Sequence, residues 1–245
     1  MFNVVYCEFL KLKQLKLPLI ILICIITSIV IGHANSGYSK MIILNNYFQV
    51  VIYINWIIFA ILFSLITGRI FSNEYKNNTI KNMFCYPMSR AKLFGAKIIA
   101  LMCIIIVVYL LSLTLSLISL LFVKHELLSK ELILSVFRAY VISMIGSICF
   151  MALIASVCIF TEKITTPLIL SIISILYLFI FSSSADNSKW IYFCPATSQL
   201  QLSLRIMGEE KIPMEMIYSA CIGLIISLVV GCVFSILIFN KRDVR

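Results

Sequence analysis

Long runs of apolar side chains alternate with polar or basic connections along the chain, and this pattern predicts its elements. A helix that crosses the hydrocarbon core of a bilayer needs roughly 20 mostly apolar residues. Six runs meet this length, so the sequence predicts an all-α polytopic membrane protein with six transmembrane helices. The predicted spans are about Leu17–Ala34, Tyr47–Thr67, Ile98–Val123, Ala139–Phe160, Ile164–Ser183 and Met216–Phe239.

Composition places the chain far from the range of soluble domains. Hydrophobic residues make up 62% of the 245 residues and charged residues 12%, and the mean hydropathy is +1.09. A soluble domain is about 45–50% apolar and about 25% charged. We therefore expect a single transmembrane domain over residues 1–245, with the first span retained rather than cleaved as a signal peptide. Only the segments 72–97 and 184–215 are long enough to hold smaller elements.

Basic residues concentrate in alternate connections, which predicts the orientation of the chain. Short cytoplasmic loops are enriched in Lys and Arg. Most of the 20 lysines and arginines lie in the amino-terminal arm, the second and fourth connections and the carboxyl-terminal tail. Both ends and the segment 72–97 are therefore predicted to be cytoplasmic. The net charge of +10 follows from this topology and does not indicate a nucleic-acid partner.

The amino-terminal arm, residues 1–16, mixes apolar and basic positions. Phe2, Val5, Tyr6 and Phe9 follow helical spacing, and Lys11 lies in the opposite stripe. This pattern favours a helix in the membrane interface, with its lysines towards the anionic headgroups of membrane lipids. The alternative is a disordered basic tail that only sets the topology.

The motifs of nucleotide binding, metal binding and catalysis are missing from the sequence. It has no phosphate loop of the type G-x-x-x-x-G-K-[ST] and no H-E-x-x-H motif. Its nine cysteines form no C-x-x-C pair. No acidic or basic residue lies deep in a predicted span, although ion-coupled transporters usually need one. We expect neither an enzyme nor a bound cofactor or metal, and we interpret Asn55 as a hydrogen bond between helices.

Small residues recur every four positions in the sixth predicted span. Such residues let helices approach closely in lipid. One interpretation is a conduit wall or a seam between subunits, and the other, which we favour, is ordinary packing within one bundle. The stripe consists of Ser219, Gly223, Ser227, Gly231 and Ser235.

The outer segment 184–215 is too long for a simple turn. The aromatic residues Trp190, Tyr192 and Phe193 suit the headgroup level, and Pro195 then breaks the chain. Residues 199–206 alternate polar and apolar positions, which by period favours a strand. A short helix against the membrane, with Leu200, Leu204 and Met207 on one side, fits equally well. Periodicity does not decide between the two.

The segment 72–97 predicts a short amphipathic helix followed by a sharp corner. Ser72 or Asn73 can cap the helix, and a residue that precedes proline is pushed out of helical geometry, so the helix should end near Cys85. Ser89 can cap the next helix, which runs into the third span. Such a helix suits a groove on another protein, and the alternative is a solvated basic loop. Its apolar face consists of Ile80, Met83 and Phe84.

Within this segment, EYKNNTI at 74–80 and PMSR at 87–90 resemble the first cytoplasmic loop of ABC transporter permeases of the type-2 exporter class. Those loops typically read E-x-x-x-x-T-[IL], then P-x-[ST]-R. The resemblance implies that residues 74–85 form a coupling helix, which sits in a cleft of a separate ATP-binding subunit. The residues implied to contact that subunit, or to form the corner after the helix, are Glu74, Tyr75, Thr79, Ile80, Met83, Phe84, Pro87, Ser89 and Arg90.

The same resemblance implies the rest of the assembly. ATP and Mg would be bound by the partner subunit, a second permease would complete the path, and the outer segment would hold short re-entrant helices that form an external gate. Permeases of this length look most like those of bacterial plasma-membrane exporters that expel bacitracin or lantibiotics, which implies an amphipathic or lipid-like cargo. The alternatives are a secondary transporter or channel, a membrane-embedded enzyme, and an antibiotic-immunity protein that does not transport. The implied gate residues are Trp190, Tyr192, Phe193, Pro195, Leu200 and Leu204.

Overall fold

The computed structural model describes residues 17–36, 43–76, 90–122, 129–182, 194–208 and 214–241, with the short pieces 5–7 and 10. The predicted interfacial helix over residues 1–16 lies outside the described residues, apart from those few positions. All regular structure in the described ranges is helical, which confirms the all-α prediction. The helices are α1 (Leu17–Ser36), α2 (Leu44–Lys76), α3 (Arg90–Leu120), α4 (Lys130–Thr161), α5 (Thr165–Ser182), α6 (Pro195–Met207) and α7 (Met214–Lys241).

Five of these helices, α1 to α4 and α7, are long and apolar enough to cross a membrane. The apolar part of α5, Thr165–Ile180, is shorter than the other five. Large apolar side chains on the outer faces of α5 and α7 are exposed, Ile173 and Ile225 among them. In a soluble protein such a surface would be a liability, whereas hydrocarbon solvates it without cost.

Helix α4 has well-defined ends that place it next to α5. The Ser129 side chain accepts a hydrogen bond from the backbone N–H of Leu132, and so caps the first turn. At the other end, Glu162 adopts a left-handed conformation with φ 57°, and its N–H bonds to the carbonyl of Cys158. The hydroxyls of Thr161 and Thr166 lie 2.6 Å apart across the short turn. Helices α4 and α5 therefore form a tight hairpin.

Helix α4 lies at the centre of the bundle. It packs against α2, α3, α5, α6 and α7, and α1 packs chiefly on α2. The contact between α4 and α7 is especially close, since a Cβ atom at Gly231 would lie 2.5 Å from the carbonyl carbon of Ala152. Gly223, Ser227 and Ser235 are buried as well. Most of the small-residue stripe of α7 is thus enclosed by this chain itself.

Two details of the segment 72–97 differ from the prediction. Helix α2 continues without a break to Lys76, so the prediction that a new helix starts at Ser72 or Asn73 is wrong. The Ser72 side chain is instead buried between helices, because the backbone of span two simply extends beyond its apolar part. Lys97, which we assigned to the basic cytoplasmic connection, lies inside the bundle and is 1% exposed. The start of the next helix directly after Ser89 agrees with the prediction.

Candidate functional site

The ends of α2 and α3 that flank residues 77–89 are fixed to each other, and we call this pair of helix ends the stem. The rings of Phe71 and Phe94 pack with centroids 5.9 Å apart. The Lys97 ammonium donates to the carbonyl of Ile70 at 3.2 Å and lies 5.4 Å from the centre of the Phe71 ring. A buried ammonium needs such partners, since removing an unpaired charge from water is costly. The stem is therefore a packed unit.

The stem also contacts the turn between α4 and α5. The Ser72 hydroxyl lies 3.2 Å from the sulfur of Cys158 in α4, and this sulfur lies 3.9 Å from the carbonyl oxygen of Gly68. A Cβ atom at Gly68 would approach the Ile164 carbonyl to 3.3 Å. The stem and this end of α4 are therefore in direct contact.

The resemblance implied a set of residues that contact the partner subunit. In the sequence they fall at the end of α2, at the start of α3 or between these two helices. Glu74 and Tyr75 occupy the last turn of α2, and Arg90 begins α3. The side chains of these three are not described, so their contacts stay predictions. The remaining six residues of that set, Thr79, Ile80, Met83, Phe84, Pro87 and Ser89, lie outside the described residues.

At the other end of the bundle, residues 195–207 form α6, which settles the choice between strand and helix. Pro195 occupies the first helical position, where its missing N–H costs nothing. Backbone N–H groups of Thr197 and Ser198 both bond to the carbonyl of Cys194. The alternating pattern misled because Gln199 and Ser203, two of the polar residues at the alternate positions, are buried as well. The gate residues Trp190, Tyr192 and Phe193 lie outside the described residues.

Helix α6 lies within the bundle rather than on a membrane surface. Leu200 and Met207 belong to the hydrophobic core, and Leu204 packs against it. The indole N–H of Trp56 in α2 donates to the carbonyl of Ala196, near the start of α6. This bond ties the first turn of α6 to α2.

The strongest anchor of α6 is Gln199. Its Oε1 atom lies 3.2 Å from the Ser147 hydroxyl of α4, and that hydroxyl lies 2.7 Å from the Tyr109 hydroxyl of α3. The tyrosine can therefore donate to the serine and the serine to the amide. Gly146 makes this approach possible, because a Cβ atom there would lie 2.5 Å from Oε1 of Gln199 and closer still to its Cβ.

A second polar contact joins α2 to α3, close to the hydrogen bonds among Tyr109, Ser147 and Gln199. The Asn55 amide donates to the Ser112 hydroxyl at 2.8 Å, which confirms the interpretation of Asn55 as a hydrogen bond between helices. The sequence analysis missed Tyr109, Ser147 and Gln199. A signal was present in the tyrosine and serine residues inside apolar runs, but serine also bonds to its own helix backbone, so its position alone does not reveal a partner.

An apolar groove separates α1 from α3 and encloses a volume of about 300 Å³. Its walls are aliphatic side chains, Ile25 of α1 and Val108 of α3 among them. Among the described residues, no group of three or more His, Cys, Asp or Glu side chains could hold a metal ion. The buried polar side chains described above make contacts between helices.

The long apolar helices and their exposed apolar faces define a multi-pass membrane protein. Residues 4–180 match the family model described as ABC-2 family transporter protein. This match covers more than half of the chain, so the chain belongs to the ABC-2 transporter family and is a membrane permease component of an ABC transporter. Membership of this family implies that the chain works together with a separate ATP-binding ABC subunit. A comparison with curated proteins gave no match.

Proposed function

We propose that this chain is the transmembrane half of an ATP-driven exporter in a bacterial plasma membrane, with six spans and both ends in the cytoplasm. Hydrolysis of ATP, with Mg, takes place in the partner subunit, and a second permease, a copy of this chain or a relative, completes the path. The family match supports the transport role. The observation that carries the mechanism is the stem, which holds residues 77–89 between two mutually packed helix ends.

In this mechanism the segment 74–85 docks on the ATP-binding subunit through Glu74, Thr79 and its apolar face. Movement of that subunit displaces the stem as a unit, because Lys97 and Phe71 tie α2 to α3. The stem then moves the end of α4 through its contact with Cys158. Since α4 also holds Gln199 of α6, the same helix links the cytoplasmic contact to the proposed external gate.

The proposed cargo is amphipathic, a peptide antibiotic or a lipid-like compound. Lys97 is the sole fully buried charged side chain among the described residues, and it is engaged by the stem. An ionic cargo would find no second buried counter-charge among the described residues of these helices. The aliphatic groove between α1 and α3 supports a cargo with a substantial apolar part.

The test is co-purification with an ATP-binding subunit and ATP-driven transport of the cargo in vesicles. Glu74→Ala combined with Thr79→Ala is expected to lower both at least tenfold, because both changes fall on the proposed docking helix. A matched control is Glu131→Ala with Ser135→Ala in the first turns of α4, which removes the same kinds of group at the opposite end of the bundle. It should leave both unchanged.

Intact binding and transport in the Glu74→Ala, Thr79→Ala variant would show that the segment does not dock as proposed. Transport at full rate in vesicles without ATP would instead identify a secondary transporter. Tight cargo binding without any movement of cargo would identify an immunity protein that does not transport.

A further inference from the structure

A small internal cavity lies where α2, α3 and α4 meet, separate from the stem and from the groove beside α1. Its volume is about 10 Å³, which is close to the minimum that holds one water molecule. Its walls are both apolar and polar. They consist of Ile52, Asn55, Trp56, Tyr109, Tyr140 and Ser143.

Two of the lining side chains carry polar atoms that have no hydrogen-bond partner in the described part of the chain. They are Oδ1 of Asn55 and the hydroxyl of Tyr140. The two residues are 2% and 4% exposed, so bulk water does not reach them. The Tyr140 hydroxyl lies near the side chains of Asn55, Ser112 and Ser116, but none of them completes a hydrogen bond with it.

Buried polar atoms without partners are rare, because each forfeits the hydrogen bond that it had in water. The Nδ2 atom of Asn55 already donates to the Ser112 hydroxyl, and in this orientation of the amide Oδ1 has no partner among the described residues. A hydroxyl can donate and accept, and a carbonyl-type oxygen accepts. One water molecule that donates to Oδ1 and bonds to the Tyr140 hydroxyl satisfies both atoms.

We propose that this cavity is a site for one ordered water molecule, which bridges Asn55 of α2 and Tyr140 of α4. The contrast with nearby contacts is informative: Tyr109 reaches Ser147 directly at 2.7 Å, whereas Tyr140 reaches no partner. A bridging water is nearly as favourable as a direct bond. It also tolerates small changes of distance between its two partners, so α4 can shift against α2 without losing this link.

The sign of one stability change tests the proposal. If the cavity is dry, Tyr140→Phe removes an unsatisfied hydroxyl and the purified full-length protein unfolds at a higher temperature. If the water is present, the same change removes one of its two partners, and the unfolding temperature falls by about 2–4 °C. Tyr109→Phe is the matched control, because it loses a direct hydrogen bond and should lower the unfolding temperature in either case.

A map of the wild-type protein in nanodiscs, at a resolution where ordered waters are visible, provides the second measurement. The proposal expects a density peak within hydrogen-bond distance of both Oδ1 of Asn55 and the Tyr140 hydroxyl. An empty cavity, or a direct bond between the two side chains, overturns it. An unchanged or raised unfolding temperature of Tyr140→Phe overturns it as well.

Discussion

Replacing Gly146 by alanine tests how α6 is held in the bundle. In an unobstructed helix this change is favourable, since alanine is the better helix former by about 1 kcal/mol. Here the new Cβ atom would lie 2.5 Å from Oε1 of Gln199 and closer to its Cβ. A Cβ atom is fixed to its backbone, so rotation of the glutamine side chain cannot relieve the clash, and α6 must move.

The magnitude follows from the contact distances. Carbon atoms pack well at about 3.5–4.0 Å, so α6 must shift by about 1 Å. Overpacking of this kind costs about 1–3 kcal/mol, and the shift also weakens the bond between Ser147 and Gln199, which contributes about 1 kcal/mol. After the gain in helix propensity, the net loss is about 1–3 kcal/mol. For a chain of this size we expect the unfolding temperature to fall by about 2–12 °C.

The assay is thermal unfolding of the purified protein in nanodiscs, with cargo transport measured in parallel. Gly208→Ala is the matched control at the end of α6: its nearest atom, the carbonyl oxygen of Leu204, would lie at an ordinary 3.5 Å. This control should be neutral in both measurements. A rise in the unfolding temperature of Gly146→Ala, as for an exposed helical glycine, would refute the close packing of α6 on α4.

Two further substitutions test contacts of the stem and of α6. Lys97→Ala removes the donor to the Ile70 carbonyl and leaves a cavity in the stem, so we expect the free energy of unfolding to fall by about 2 kcal/mol or more. Lys92→Ala, at an exposed position of the same helix, is the control and should change it little. Equal effects of the two substitutions would contradict the buried position of Lys97. Trp56→Phe removes the indole donor that joins α2 to the Ala196 carbonyl, so the unfolding temperature should fall by about 2–4 °C. An unchanged value would argue against this bond.

The sequence predicted the helical class well because long apolar runs leave few alternatives in a membrane. Every predicted span overlaps a helix, but α2 and α3 extend well beyond their apolar parts, to Lys76 and back to Arg90. Hydropathy marks where lipid begins and does not mark where backbone hydrogen bonding ends. This is why the cap at Ser72 was placed inside a continuous helix.

Contacts between residues that lie far apart in the chain could not be predicted from the sequence. Nothing in the sequence distinguishes Lys97 from the exposed Lys92 in the same helix, and only the approach of α2 shows that Lys97 is buried. Gln199 likewise has a polar side chain in a segment that alternates like a strand, and its partner Ser147 is 52 positions away. Such contacts depend on which helices pack against each other, and the periodicity of a single sequence does not indicate these neighbours.

The central position of α4 has a consequence for biogenesis. Helix α3 packs mainly against α4 and α7, and less against α1 and α2. Both of its principal partners follow it in the chain, and a chain is synthesised from its amino-terminal end. When α3 first enters the membrane, it therefore lacks most of its final neighbours. Its Ser112 hydroxyl can already meet Asn55 of α2, whereas its Tyr109 hydroxyl must await Ser147 of α4. A chain that stops before α4 is expected to be a substrate for membrane quality control, whereas one that includes α4 can begin to assemble.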